Sequence, residues 1–288
     1  MKRGGTTWSE RVSEARENAL RAMRDAGFDV GGAVRVAVDP KLPFMGYSRP
    51  QGDGFQVVVS GAAVGSGMLE GLLIHEMSHI YRMQTGHPSH DGRIISDVLE
   101  QVGKHRLSED YRQKIAHEII NHIEDLYADD ISLAVMKDRA FVSEDRLVAF
   151  LQDWVKDSPV RSQDATRDAW VNASLLVNNA RALAQMDRHH IDDLGGRAAT
   201  ANRRFLSRLP PEAAQHFERF CNFLADLPKD LTDAKYRRML SGYLEDFLKL
   251  VEVLQAPFRQ VPSEESEETI LRREIEEWAT DPPMHGGD

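Results

Sequence analysis

His75 and His79 stand four residues apart with Glu76 directly after the first, in the run Gly71-Leu72-Leu73-Ile74-His75-Glu76-Met77-Ser78-His79-Ile80-Tyr81. Leu69, Leu72, Leu73, Met77 and Ile80 recur at the three-and-four step of a helix stripe, so a helix here sets the two imidazoles one turn apart on a common side. Imidazoles so placed can reach one zinc ion, and Glu76 between them is close enough to take a proton from a water on that ion. The same five-residue pattern also arises by chance in helices whose histidines are half-exposed. The surroundings argue against chance. No charge falls between Gly71 and Ile74 or between Met77 and Tyr81, and imidazoles in so apolar a run need partners for their nitrogens.

Two histidines leave zinc short of ligands, and a carboxylate from a separate helix is a common completion that keeps one position for water. The stretch from His117 to Asp130 offers it, within a long helix expected to open at Ser108-Glu109-Asp110 and run to Met136. At helical spacing Ile115, Ile119, Ile123, Leu126 and Tyr127 share one side, and His117, Asn121, Asp125, Ala128 and Ser132 gather on the other. Asp125 thus lies among residues small enough to let a second helix approach. His117 and His122 are the alternatives if a third histidine completes the set.

On these two motifs the chain resembles the gluzincin branch of zinc metallopeptidases. There HExxH on one helix is joined by an acidic ligand on a second, in an ExxAD or ExxxD pattern whose last Asp steadies a ligating histidine. The pattern falls here on Asp125-Leu126-Tyr127-Ala128-Asp129, with Asp125 in the ligand place and Asp129 behind a histidine. Asp stands where the family has Glu, a shorter arm, so either the helices approach more closely or Glu124 is the ligand. The resemblance covers Val34 to Met136. It implies a zincin-like core, a zinc cofactor, and peptide-bond hydrolysis with Glu76 as general base.

The elements that must position these residues can be read from periodicity and punctuation. Trp8 to Ala26 is an amphipathic helix ending at Gly27. Val34 to Val38 reads as a strand, a Pro/Gly-rich loop follows through Gly54, and Phe55 to Ser60 is a β-branched strand. Because extended substrates often pair with an exposed sheet edge, Val57, Val58 and Val59 are a candidate peptide platform, with an ordinary core strand as the equal alternative. Ser66 is a possible cap for the histidine helix, and Gly86-His87-Pro88 stops it. His87 and His90 then fall in a loop expected to be exposed. Beyond Met136 the pattern is helical throughout: Ser143 to Val155, Ser162 to Met186, Thr200 to Leu209, Glu212 to Leu227 and Leu231 to Leu254.

The expected class is therefore α+β and predominantly helical. Residues 1–140 would form the metal-binding part, 141–260 a helical part forming the far wall of a cleft, and 261–288 an acidic linker, short helix and tail. His189, His190, Tyr236, Arg237 and Tyr243 are available as donors to an oxyanion, and nothing in the sequence selects among them.

Composition narrows the partners. Of 288 residues 46 are acidic and 36 basic, a formal net charge of -10 that disfavours general nucleic-acid binding. Cys221 is the only cysteine, which excludes a thiolate zinc cluster and internal disulfides. The first ten residues are basic without an apolar stretch, and no later run approaches a membrane span, so the expected compartment is the cytoplasm. Two functions fit: a zinc peptidase acting on peptide or protein substrates, or a zincin-like scaffold that binds peptide or protein with a structural metal or none.

Overall fold

The stripe on the first helix, α1 (Trp8–Asp25), buries Val12, Ala15, Ala19, Ala22 and Met23. The computed structural model describes residues 8–103, 116–139 and 141–255. The expected helix start at Ser108 to Asp110, the side chain of His117 and the segment from 261 onward lie outside the described residues.

Three strands follow α1: β1 (Val34–Asp39), β2 (Gly46–Gln51) and β3 (Gly54–Ser60). Their order is β1-β3-β2, with β1 parallel and β2 antiparallel to β3. β2 and β3 form a hairpin in which Gln51 pairs with Gly54, leaving Gly52 and Asp53 as the two loop residues. Gly52 has φ +62°, the positive value that such tight hairpins demand at this position. The sequence reading places β2 in a loop because its Gly46 and Pro50 are poor strand residues. An edge position tolerates both.

The sheet order corrects the proposed platform. Val57, Val58 and Val59 lie on the central strand, paired on one side with Val36 to Val38 and on the other with Ser48 to Gly46. Their backbone groups are spent on those ladders and their side chains are buried, so they cannot receive a peptide. The edge beside β3 belongs to β2. Ser60 N–H donates to the Met45 carbonyl at 2.9 Å, which makes alternate pairs hydrogen-bonded and turns the backbone groups of Gly46 and Ser48 outward.

A short helix α2 (Gly61–Gly65), capped by Ser60, leads into α3 (Leu69–Gln84), the helix of the histidine pair. Ser66 closes α2 rather than capping α3: its hydroxyl donates to the Ala63 carbonyl at 2.8 Å. Arg11 clasps Glu70 with two hydrogen bonds of 2.6 and 2.8 Å, tying α1 to the first turn of α3. After a 3-10 turn at Pro88–His90 come α4 (Gly92–Gly103), a π-helical turn at Ala116–Ile120, and α5 (Asn121–Arg139). The remaining described helices are α6 (Glu144–Trp154), α7 (Ala165–Arg188), α8 (Arg197–Leu206), α9 (Glu212–Ala225) and α10 (Asp233–Leu254). The protein is a predominantly helical α+β chain with one small sheet.

The buried residues form two cores that do not divide at residue 140. One holds α1, the sheet, α3, the C-terminal half of α5 from Ile131, α6, and Ala182 and Met186 of α7. The other holds α4, the N-terminal half of α5 through Tyr127, one face of α7 from Ala169 to Ala184, Phe205 of α8, α9 and α10. Helices α5 and α7 contribute to both, and on α5 Asp129 lies between Tyr127 of one core and Ile131 of the other. Among the described residues no helix is long and apolar enough to cross a membrane.

Candidate metal centre

α3 and α5 pack closely because small residues line their contact. An added Cβ on Gly71 would stand 3.0 Å from Met136 Sδ and 3.2 Å from Val142 Cγ2. Ala128 and Ser132 of α5 are fully buried; Ser78 of α3, also fully buried, bonds back to the Ile74 carbonyl at 2.8 Å and meets Met23 of α1 at 3.9 Å. This approach lets the short arm of an aspartate reach α3.

Three atoms converge across that contact. His75 Nε2 and His79 Nε2 are 3.1 Å apart, and Asp125 Oδ1 is 3.2 Å from the second and 3.8 Å from the first. Tetrahedral zinc with bonds of about 2.0–2.1 Å spaces its ligand atoms roughly 3.3–3.4 Å apart. The triangle therefore has nearly the dimensions of one face of such a site. Among the described residues this is the group of His, Cys, Asp or Glu side chains whose ligand atoms converge in this way. Glu124, the alternative ligand, is not part of it.

The other nitrogen of each ring is already engaged outward. His75 Nδ1 lies 2.7 Å from Asp129 Oδ1, and Asp129 also accepts from Ser132 Oγ at 3.0 Å and from the Gln185 amide. His79 Nδ1 lies 2.8 Å from His90 Nε2. The far oxygen of Asp125 is held by Arg181 Nη2 at 2.9 Å, and the Arg181 guanidinium stacks over Trp154 at 4.5 Å. Each of the three converging side chains thus has a partner that fixes it from behind, leaving Nε2, Nε2 and Oδ1 directed at a common point. This donor set of two imidazoles and a carboxylate suits zinc.

The charges agree with the geometry. Burial opposes a charge on Asp125, but Arg181, with His79 and His75, holds its carboxyl well below the usual range. Burial would lower the His75 pKa, yet Asp129, and beyond it Asp125 and Glu76, raise it to about 10. The carboxylates of Asp129, Asp125 and Glu76 thus give the pocket a field that favours a positive charge. Glu76 is 5% exposed and hydrogen-bonded to no described residue; its carboxylate is near enough to bias His75. The side chains of His75 and Asp125 retain 23% and 25% exposure, so the point they share is open to solvent on one side. A Cβ on Gly46 would stand 3.4 Å from Leu72, one turn before His75, so the start of β2 packs on the N-terminal half of α3.

The sequence reading missed two of the supporting residues. Arg181 carries no spacing signal, being one charge on a long helix. His90 and His87 were expected in an exposed loop, but the 3-10 turn folds them inward, with Ser89 between them fully buried. His122 Nδ1 is buried without a hydrogen-bond partner and joins no ligand group. Of the oxyanion candidates, Arg237 pairs with Asp97 at 2.7 Å, His189 Nε2 lies 3.8 Å from Asp130, and His190 occupies a turn with φ +52°. The hydroxyls of Tyr236 and Tyr243 are buried without hydrogen-bond partners among the described residues.

A model of a family described as a family of unknown function (DUF5781) matches residues 19–248. Comparison with curated proteins and with solved structures gives no match.

Proposed function

The chain belongs to this family of unknown function, and we propose from the geometry of its site that it is a zinc-dependent metallopeptidase with a zincin-like core. His75, His79 and Asp125 would hold the ion. A bound zinc would polarise the scissile carbonyl and make a water acidic near neutral pH. The observation that carries the reading is the triangle of 3.1, 3.2 and 3.8 Å, each corner braced from behind by a different residue. Braced donors with no other partner for their inner atoms are what a metal site requires and a chance pentapeptide would lack.

Glu76 follows His75 and is buried, and among the described residues no hydrogen bond competes for its carboxylate. It would take the proton of the attacking water and deliver it to the departing amine. The outward-facing backbone groups of Gly46 and Ser48 would pair with an extended peptide. The arrangement resembles a gluzincin site in which Asp replaces Glu as third ligand, and the close packing of α3 on α5 at Gly71 accounts for the shorter arm.

Turnover of a mixed peptide library by zinc-loaded protein tests the reading. Glu76→Gln should keep the zinc and lose hydrolysis by about a hundredfold or more. A variant that still cleaves at the wild-type rate would reject the mechanism.

A further inference from the structure

His79 is tied outward by three side chains that the proposed hydrolysis does not use. His79 Nδ1 lies 2.8 Å from His90 Nε2, His90 Nδ1 lies 2.8 Å from Ser89 Oγ, and Ser89 Oγ lies 2.7 Å from His87 Nδ1. All three belong to the single turn after α3. Gly86, at φ +66°, reverses the chain, and the 3-10 turn brings His90 back over the helix.

The order of protons along this row is set at its far end. The Ser89 backbone N–H donates to His87 Nδ1 at 3.3 Å, so that nitrogen presents a lone pair. The Ser89 hydroxyl then donates to His87 and accepts from His90 Nδ1–H. His90 Nε2 is left as an acceptor for His79 Nδ1–H. At the inner end this leaves the lone pair of His79 on Nε2, facing His75 Nε2 and Asp125 Oδ1. On the other imidazole the Asp129 carboxylate, which can only accept, keeps a proton on Nδ1 and leaves Nε2 as the nitrogen that can face a metal.

We propose that His90, anchored by Ser89 and His87, is a positioning residue that fixes the tautomer and ring orientation of His79 for metal binding. It does with a neutral imidazole what Asp129 does for His75 with a carboxylate. The inference rests on the metal-site reading above.

Zinc affinity measured by chelator competition tests it, with folding followed by thermal melting. His90→Leu removes the acceptor and should weaken zinc binding by about 10–100-fold. His90→Gln, whose side-chain oxygen can replace Nε2 as acceptor, should bind close to wild type. Unchanged affinity in His90→Leu would overturn the inference, and so would a His90→Gln as weak as His90→Leu, because the loss would then come from packing. If the wild-type chain itself takes up no zinc, the metal site fails and this role with it; wild-type binding with an unaffected His90→Leu defeats only the role. Should His90→Leu not fold, Ser89→Ala decides, because it leaves His90 free to turn either nitrogen state toward His79. Its zinc affinity should fall several-fold, and an affinity equal to wild type would refute the proposal.

Discussion

Arg181 Nη2 lies 2.9 Å from Asp125 Oδ2 while the other oxygen of that carboxylate faces His79 Nε2 at 3.2 Å. One carboxylate thus joins a buried cation on α7 to the imidazole pair on α3, and both of its oxygens are committed. Replacing Arg181 with Met would leave Asp125 charged and half-buried with only the histidines beside it. In metal-free protein the expected cost is about 3 kcal/mol, the lower end of the range for breaking a buried pair because Asp125 keeps some solvent contact. A bound cation would restore a partner to Asp125, so urea titrations should show a smaller loss in the zinc-loaded variant. An equal loss in both states would mean that Arg181 acts through packing on Trp154 alone.

Gly71 sets how closely α3 and α5 approach, and the short aspartate arm depends on that distance. Gly71→Leu would drive a side chain into Met136 and Val142, at an expected cost of about 1–3 kcal/mol from overpacking. Widening the contact should also weaken zinc binding, whereas an exposed glycine such as Gly92, with open space around it and no positive φ, should do neither when changed to Ala. Zinc affinity untouched in a folded Gly71→Leu chain would break the link between helix spacing and ligand reach.

Stability should fall as the solution is acidified from pH 6.5 toward 5. Burial, with Arg82 in the first case and Arg181 in the second, lowers His87 to about 4 and His122 to about 3; His189 and His216 are lowered in the same way. His87 and His122 stay neutral in the folded chain over this range and charge in the unfolded chain below the ordinary value of 6.5, and His189 and His216 take up a proton less readily folded than unfolded. The unfolded chain then binds more protons, and folding is penalised as pH drops. His90 is lowered as well, which makes five. Two groups run the other way. Burial raises Glu124 to about 7 against the pull of His79 and with the help of Asp125, and His75, raised to about 10 by Asp129 against burial, is already protonated when folded, so together they offset part of the decline. Denaturant titrations of metal-free protein should show the decline, and His122→Leu should flatten it by up to about 1.4 kcal/mol per pH unit. A profile that is level over this range, or unchanged in the variant, would contradict these burial effects.

The histidine pair and its helix were legible because a pentapeptide and an apolar stripe coincide; helical periodicity placed Asp125 on the face that meets them, and Asp129 came only from the resemblance to the gluzincin pattern. What could not be read had a physical reason in each case. β2 contains Gly46 and Pro50, residues that strands avoid except at an edge, and edge position is a property of the sheet. Val57 to Val59 looked available because a sequence does not say which strand is central. His90 followed a glycine and a proline, the usual marks of a solvated loop, while the turn that buries it is defined by contacts with His79. Arg181 pairs with a residue 56 positions away, and no local pattern announces such a partner. The two cores share α5 and α7, so a boundary drawn where the helix-rich half begins does not separate them.

Zinc content per chain, measured by elemental analysis after loading and exhaustive dialysis, tests the three-ligand site most directly. One zinc per wild-type chain is expected, retained in Glu76→Gln and lost in His79→Ala and Asp125→Ala. A wild-type chain without zinc, or a full complement in the His79→Ala and Asp125→Ala chains, would show that the three side chains do not hold a metal.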